Sequence, residues 1–274
     1  MKPKEKYCYI TTLSSFDYLP GVLVLAESLR NVKSQYNLVV VLTGVEKDKY
    51  RIITTLDQNK ISYIEFDATL SIPNEVISTN IRLGKERWNN TFQKLFMFNM
   101  TEYEKMVYMD CDMMVLKNID HLFSKPHLSA VVDAASYPGN EHRRNFNSGI
   151  MVIEPEECLA EKIFDVIANE KLKNKAIGDQ DLLQLYYSNW RESEELHLDE
   201  GYNLFFDYVD YYVRKFGYKI DKNIYVVHFC RAEKPWNPIK YELVSALFRH
   251  LLKMQTSQLK IYLKYREKLK RVYR

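Results

Sequence analysis

Two aspartates, Asp110 and Asp112, are the residues of this chain whose type and spacing most clearly suggest chemistry. They follow the run from Met106 to Met109, and a run that is apolar on both faces predicts a buried parallel strand. Side chains two residues apart in an extended segment point to the same side, so both carboxylates can reach one point. Buried carboxylates need a counter-charge, which a divalent cation with oxygen ligands supplies. Surface loops often have this spacing, but ligands of open α/β sheets bind beyond the carboxyl ends of strands, so a metal site and an ordinary surface loop are the two alternatives at this position.

A second apolar run ends in a polar residue, His228, and Lys234 follows six residues later. A lone histidine at a strand end is more often structural than a ligand. Together with Asp110 and Asp112, however, an imidazole would complete a mixed ligand set that suits Mn²⁺, with Mg²⁺ or Co²⁺ as substitutes. Lys234 is a compact point charge that suits a phosphate contact, the alternative being a solvated surface lysine.

Strands and helices alternate along the first part of the chain. Strands are predicted at 7–12, 38–42, 62–66 and 106–109, and helices at 21–32, 47–58 and 88–98. That order predicts a parallel sheet flanked by helices. Beyond residue 112 the pattern is less regular, with strands predicted at 128–132, 149–153 and 225–228 and helices at 158–169 and 179–187. Because no Ser/Gly-rich linker or internal repeat divides the chain, we predict a single α/β domain.

Length and composition limit the classes of protein. At 274 residues and 46% hydrophobic, the chain can bury a large core and is near the upper size for one domain. No apolar run reaches the roughly 18 residues that suggest a membrane span, and the N-terminus lacks a cleavage pattern. The cysteines lie far apart, which argues against a zinc site or a disulfide framework: Cys8, Cys111, Cys158 and Cys230. These features predict a cytoplasmic protein.

The C-terminal residues 253–274 are predicted to form a basic amphipathic tail that follows the main domain, residues 1–252. The tail has eight basic residues and one acidic residue, a local charge of +7 in a chain of net charge +3. Apolar residues recur in it at helical spacing: Leu259, Ile261, Tyr262, Leu263, Tyr265, Leu269, Val272 and Tyr273. Either this stripe packs on the body, or the tail contacts an anionic membrane surface. Nucleic acid is disfavoured because no other basic patch is present.

Four motifs in order resemble glycosyltransferase family 8, which includes glycogenin, plant galactinol synthases and bacterial lipopolysaccharide galactosyl- and glucosyltransferases. The motifs are Met109-Asp110-Cys111-Asp112, Phe146-Asn147-Ser148-Gly149, Gly178-Asp179-Gln180-Asp181, and His228-Phe229 with Lys234-Pro235-Trp236. The resemblance runs from about Tyr7 to Trp236. It implies a GT-A fold with a Rossmann-like mixed sheet, a UDP-sugar donor, Mn²⁺, and transfer with retention at the anomeric carbon. Glucose or galactose is favoured as the sugar, and a glycan, lipid-linked oligosaccharide or small polyol as the acceptor.

Residue by residue, the resemblance implies Asp110, Asp112 and His228 as metal ligands and Asp179, Gln180 and Lys94 as catalytic residues. The implied substrate-binding residues are Thr11, Thr12, Ser14, Tyr18, Lys94, Cys111, Asp133, Asn147, Ser148, Asp179, Gln180 and Lys234. Among these, Tyr18 is similar to the ring that packs on uracil. Lys94 is similar to a lysine that faces the donor, with Arg82, Lys85 and Arg87 as alternatives. Cys111 by itself is typical of a small side chain that packs in the core.

Each supporting motif also has a structural interpretation. By themselves, Asn147-Ser148-Gly149 is typical of a turn, and Asp179 is typical of a helix N-cap. The chain departs from glycogenin at Ala176, where glycogenin has Asp, and at Asp181, where it has a small residue. The bacterial enzymes are therefore more similar, and self-glycosylation is disfavoured.

Two rivals come from other classes. A nucleotidyltransferase also places paired carboxylates at a strand end, but it usually has a glycine- and lysine-rich loop that residues 11–21 lack. A non-catalytic scaffold would have little use for so many buried charges.

For the chemistry, Gln180 is a neutral amide and a poor nucleophile, which favours same-face displacement over a covalent glycosyl-enzyme. The catalytic motifs end by Trp236, so the tail is not expected to be needed for the reaction itself.

Overall fold

The main sheet begins with four parallel strands. The structure is a computed structural model that describes residues 5–66, 72–168, 172–237 and 256–273. In it, β1 (Glu5–Leu13), β2 (Leu38–Leu42), β3 (Ser62–Glu65) and β4 (Tyr103–Met109) lie in the order β3-β2-β1-β4. All neighbouring pairs are parallel. They are connected through α1 (Leu19–Asn31), α2 (Lys49–Gln58) and α3 (Asn74–Arg82). The predicted α/β arrangement is confirmed, because apolar runs such as the fully buried β2 form strands covered on both faces.

The second part of the chain makes the sheet mixed. The remaining strands are β5 (Met113–Val115), β6 (Ala130–Val132), β7 (Phe146–Ile153), β8 (His197–Leu198), β9 (Leu204–Phe205) and β10 (Val226–His228). The main sheet continues as β4-β7-β6-β8, with β7 antiparallel to both of its neighbours. A small second sheet has the order β5-β10-β9. The start of β7 therefore lies at the same edge as the end of β4, which brings two of the motifs together.

Several predicted boundaries and element types were wrong. The helix predicted at 88–98 is a 3₁₀ segment, Glu86–Asn99, whose buried residues include Phe92, Leu95 and Phe98. Its apolar pattern reflects burial against neighbouring elements and not an α-helical face. Asn147 and Ser148 lie inside β7, so the interpretation of their motif as a turn was wrong. The helix α3 was not predicted from the sequence; it buries only Thr79 and Asn80, and its Val76 packs half-buried against the core.

Three further helices follow the main sheet. They are α4 (Leu159–Phe164), which continues as a 3₁₀ turn to 168, α5 (Asp179–Tyr186) and α6 (Val209–Phe216). The helix predicted at 179–187 is confirmed. The one predicted at 158–169 is shorter, and its last residue lies outside the described ranges.

The C-terminal segment is a helix, α7 (Thr256–Val272), that packs on α1 and α6. Ile261 and Tyr265 are fully buried, whereas Leu263 and Tyr273 of the predicted stripe are 58% exposed. The apolar face is thus narrower than the sequence predicted, and the tail's first residues, 253–255, lie outside the described ranges. No helix in those ranges is long and apolar enough to cross a membrane.

A buried carboxylate caps α7. Asp210, in α6, is 4% exposed, and its Oδ1 accepts the backbone N–H groups of Ser257 and Gln258 at 3.0 and 3.4 Å. We expect Asp210→Ala to lower the free energy of unfolding by about 1–2 kcal/mol, because it leaves the first N–H groups of the helix without an acceptor. Urea unfolding would measure the change. The exposed Asp221 serves as a control, since Asp221→Ala should leave the midpoint unchanged; a wild-type midpoint for Asp210→Ala would contradict the capping role.

Candidate active site

The site is built where strand ends converge at one edge of the main sheet. Ser14 follows β1, Asp110 follows β4 and Asp133 follows β6. Because β7 runs antiparallel to β4 and β6, its first residues, including Asn147 and Ser148, lie at this same edge. Polar side chains can occupy the edge because the buried sheet ends there. The topology therefore brings together motifs that are far apart in the sequence.

The three predicted metal ligands lie close together. The nearest ligand atoms of Asp110, Asp112 and His228 are within 4.8 Å of one another. His228 Nε2 is 3.1 Å from Asp112 Oδ1 and 3.7 Å from Asp110 Oδ2. Pairing of β10 with β5 places His228 opposite Met113, directly after Asp112. A Cβ at Gly149 would lie 2.7 Å from His228 Cε1, so only glycine leaves room for the imidazole.

Positive groups neutralise the buried carboxylate of Asp112. Burial alone would raise the pKa of Asp112, but His228 and Lys234 outweigh it, and the pKa is lowered. Lys234 Nζ lies 2.6 Å from Asp112 Oδ2. For His228, burial alone would lower the pKa, yet Cys230 and Asp112 raise it well above its usual value. The buried carboxylate of Asp112 thus requires nearby positive charge, which is also what a bound cation provides.

Asn203 orients the imidazole. His228 Nδ1 donates to Asn203 Oδ1 at 2.9 Å, and Asn203 Nδ2 donates to Asn147 Oδ1 at 2.8 Å. The second bond fixes which way the amide points. His228 Nε2 is therefore the nitrogen that faces the carboxylates, as metal-binding histidines usually require. The ligand set of two carboxylates and one oriented imidazole fits a divalent cation.

Lys94 is the buried cation of the site. Its Nζ lies 2.9 Å from Asp179 Oδ2 and 3.3 Å from Asp110 Oδ1, and it donates to Ser148 Oγ at 3.4 Å. Burial alone would lower the pKa of Lys94, but the two carboxylates raise it well above its usual value. Lys94 therefore stays charged and links the Asp-x-Asp motif to α5.

The three alternatives to Lys94 lie on the surface. Arg82, Lys85 and Arg87 are exposed, and Lys85 Nζ lies over the ring of Trp88 at 5.2 Å from its centroid. Of these four cations, only Lys94 is joined to the carboxylates of the site by ion pairs in the described structure.

Tyr108 is a site residue that the sequence interpretation missed. Its hydroxyl donates to Asp110 Oδ1 at 2.5 Å, and the side chain of Thr12 also hydrogen-bonds to it. Burial, together with Asp110, raises the pKa of Tyr108 well above its usual value, so the hydroxyl remains a donor. The signal was present in the sequence, because Tyr108 precedes Asp110 by two residues and so lies on the same side of the strand. Thr11, which the resemblance implied as a substrate-binding residue together with Thr12, is fully buried on β1.

A chain of hydrogen-bonded polar side chains leads to the cluster. Asn147 Nδ2 donates to Asp133 Oδ1 at 3.4 Å, and Asp133 also forms an ion pair with Arg143. Arg143 was not predicted, since nothing in its local sequence distinguishes it from a surface arginine. Hydrogen bonds link Asp133 to Asn147, Asn147 to Asn203, and Asn203 to His228. Two implied substrate-binding residues, Asp133 and Asn147, are thus connected to an implied metal ligand.

The start of α5 faces the same site. Asp179 is the first residue of the helix and Gly178 its N-cap, so the interpretation of Asp179 as the N-cap was wrong. The backbone N–H of Asp179 donates to Thr91 Oγ1 at 3.1 Å, which leaves the carboxylate for Lys94. Gln180 Oε1 accepts the backbone N–H of Ser148 at 3.0 Å.

Asp181, the residue that departs from glycogenin, has a local role. Its Oδ2 accepts the backbone N–H of Gly178 at 2.9 Å, and burial raises its pKa. Its carboxylate therefore closes the first turn of α5.

The predicted nucleotide side lies next to Lys234. The Lys234 ammonium is 5.6 Å from the ring centroid of Tyr18, which meets Trp236 edge-on at 5.7 Å. Cys111 is half-buried, and burial raises the pKa of its thiol. The backbone passes close to Gly21, because a Cβ there would lie 2.5 Å from the carbonyl oxygen of Cys111. Aromatic, cationic and backbone groups thus border one side of the carboxylate cluster.

The comparisons with known proteins define the class as a glycosyltransferase of the GT-A type. Residues 9–240 match the family model described as glycosyl transferase family 8, and the chain belongs to that family. An uncharacterized protein of Acanthamoeba polyphaga mimivirus is 30% identical over 250 residues, which are 85% of this chain and 83% of that protein. Glycogenin-1 of Oryctolagus cuniculus is 32% identical over 233 residues, 84% of this chain and 65% of glycogenin-1.

Other relatives are longer. Inositol phosphorylceramide glucuronosyltransferase 1 of Arabidopsis thaliana is 32% identical over 186 residues, 68% of this chain but 31% of that protein. Among solved structures, galactosyltransferase LgtC in complex with donor and acceptor sugar analogues has a TM-score of 0.56 at 17% identity, covering 83% of this chain and 89% of LgtC. The predicted family and the GT-A fold are confirmed.

Proposed function

We propose that this chain is a metal-dependent, retaining hexosyltransferase that uses a UDP-sugar. The observation that carries the proposal is the cluster of Asp110, Asp112 and His228 with cations on two sides, Lys94 and Lys234. Such a site suits a donor whose leaving group is a diphosphate. The ligand chemistry favours Mn²⁺, with Mg²⁺ or Co²⁺ as substitutes.

Negative charge would be stabilised from the Lys234 side. Asp110, Asp112 and His228 would hold the cation, which when bound supplies positive charge for the diphosphate oxygens. Lys234 adds a second, fixed positive charge, and its neighbour Tyr18 offers a ring to the base. Both act where charge develops as the sugar–phosphate bond breaks.

Positive charge on the sugar would be stabilised from the α5 side. Asp179 is anchored by Lys94, and Gln180 is held by the backbone of Ser148. In the proposed mechanism their oxygens would face the oxocarbenium-like centre and stabilise its positive charge. An amide that already accepts a backbone hydrogen bond is a poor nucleophile, so we favour same-face displacement, in which the acceptor hydroxyl attacks and the leaving phosphate oxygen takes its proton.

Glucose or galactose is the proposed sugar, with a glycan, lipid-linked oligosaccharide or polyol as the acceptor. The named relatives include glycogenins and glucuronosyltransferases, which supports hexose-type donors without choosing among them. Self-glycosylation remains the second candidate because of the glycogenin relatives. Membership of the family disfavours a nucleotidyltransferase, and the ion-paired site disfavours a scaffold.

We also propose that the outer face of α7 contacts an anionic membrane from the cytoplasmic side. This face has four exposed cations around the exposed Leu263: Lys260, Lys264, Lys270 and Arg271. It also has one exposed acid, Glu267, which pairs with Arg271. Each basic residue near such a surface contributes about 1 kcal/mol.

A donor panel tests the proposed function. Purified protein is incubated with UDP-glucose, UDP-galactose, UDP-glucuronate, UDP-xylose and GDP-mannose, each with Mn²⁺ or with chelator, and nucleotide release is measured. We expect release from one or two UDP-hexoses in Mn²⁺ only. Release that is equal in chelator would contradict metal dependence, and release from GDP-mannose alone would contradict the UDP assignment.

Asn203 provides a separate test of the metal site. We expect Asn203→Ala to weaken Mn²⁺ binding about 10- to 100-fold, because the imidazole loses the acceptor that orients it. Asn203→Asp keeps an acceptor for His228 and should retain most of the affinity. Titration of free Mn²⁺ by electron paramagnetic resonance would measure both. The exposed Asn189 is the control, and equal affinity for Asn203→Ala and Asn189→Ala would contradict the role.

A further inference from the structure

The segment that carries Lys234 has little structure of its own. Residues 229–237, here called the Lys234 loop, follow β10 and contain no helix or strand. Within the loop, Lys234 Nζ donates to Phe229 O at 2.8 Å, and the backbone N–H of Asn237 donates to Lys234 O at 3.1 Å. Its position therefore depends on neighbouring elements.

Arg266 of α7 bonds directly to this loop. Its Nη1 donates to Pro235 O and to Asn237 O, both at 3.1 Å. One guanidinium nitrogen thus bridges the carbonyl groups on either side of Trp236. Hydrogen bonds from a charged donor are among the stronger ones in proteins. Because Pro235 follows Lys234 directly, these bonds constrain the backbone from which the Lys234 side chain extends.

Aromatic packing connects α7 to the nucleotide side through the same loop. Tyr265, fully buried, stacks on Trp236 at a centroid distance of 6.3 Å and meets Phe229 edge-on at 4.9 Å. Trp236 also meets Tyr18, and a Cβ at Gly21 would be 2.8 Å from the Trp236 ring. Trp236 therefore lies between α7 and the segment predicted to hold the base.

From these contacts we propose that α7 is part of the donor site, with Arg266 as a positioning residue that holds the Lys234 loop in its binding geometry. The inference rests on the proposed function, in which Lys234 contacts the donor diphosphate. It opposes the expectation from the sequence that the tail is not needed for the reaction. The outer face of α7 is basic and its inner face packs on the donor site. Contact of α7 with a membrane surface could therefore affect donor binding.

The test compares two arginines of the same helix in the full-length protein. Arg266→Ala is expected to raise the Kd for UDP in Mn²⁺ about tenfold by calorimetry, because two charge-assisted bonds are lost. Hydrogen exchange of the ligand-free protein should become faster in residues 230–237 while the strands β1 and β4 keep their protection. Arg271→Ala removes the same charge from an exposed position, where the side chain pairs with Glu267, and should change neither quantity.

Arg266→Lys provides a second variant, which keeps the charge but lacks the planar guanidinium. We expect an intermediate loss of UDP affinity, and this variant decides the matter if Arg266→Ala does not fold. Wild-type UDP affinity and unchanged loop exchange in a folded Arg266 variant would overturn the inference while the proposed function stands. Absence of UDP binding by the wild-type protein would overturn the proposed function itself, so the two failures are distinguishable.

Discussion

Asp112→Asn is expected to reduce transfer from the preferred nucleotide sugar by at least about a hundredfold, since even the partners that orient metal ligands are worth ten- to a hundredfold. The substitution removes a charged ligand and leaves the side chain the same size. It also removes the partner of His228 and Lys234, whose nearest nitrogens lie 3.1 and 2.6 Å from the carboxylate. Initial rates measured at one fixed Mn²⁺ concentration, chosen just high enough to support the wild-type enzyme, would measure the effect.

The exposed Asp221 again serves as the control, because Asp221→Asn changes the net charge equally at a distance from the cluster. Full activity of Asp112→Asn, with or without chelator, would contradict the assignment of this residue as a metal ligand. A large loss that added Mn²⁺ partly restores would support it, because a weakened site is filled by mass action.

Lys94→Met is expected to abolish transfer and to lower the free energy of unfolding by about 3–5 kcal/mol. Lys94 is 6% exposed, and its ammonium neutralises Asp179, which is 4% exposed. Removing the ammonium leaves a buried carboxylate without a partner, which costs much more than losing a surface ion pair. Urea unfolding and initial rates would measure the two effects on the same preparation.

A double variant separates stability from chemistry. Lys94→Met with Asp179→Asn removes both members of the buried pair, so we expect it to recover much of the lost stability but no activity. Lys125→Met, at an exposed position, is the control for loss of one lysine. If Lys94→Met were as stable as Lys125→Met, the proposed buried charge network would be wrong.

The fold was predictable where local pattern decides it. Alternation of apolar runs with helical segments predicted the parallel strands β1 to β4, because each strand and helix is recognised within about ten residues. The strand end at Asp110 was predictable for the same reason, since a charge interrupts an apolar run there. The segment 86–99 was misjudged because burial on several sides gives an apolar pattern without an α-helix.

The sequence predicted which motifs belong to the candidate site. It did not predict which of their residues contact one another. The spacing of Asp110 and Asp112 suggested a shared ligand, and the four ordered motifs indicated the family that the comparison confirms. Tyr108 could have been found by alternation along the strand. Arg143 and Arg266 could not, because each contacts residues that its local sequence does not indicate.

The sequence by itself determined the residue types of the site, the order of its motifs and the apolar strands on which they lie. Only the tertiary structure decided which way β7 runs, and therefore that Ser148 meets Gln180 from 32 residues away. It also decided that Asn203 orients His228 and that the C-terminal helix bonds to the Lys234 loop. The physical reason is the same in each case. Periodicity and spacing report which face of an element is buried, whereas contacts between distant segments depend on how the whole core packs.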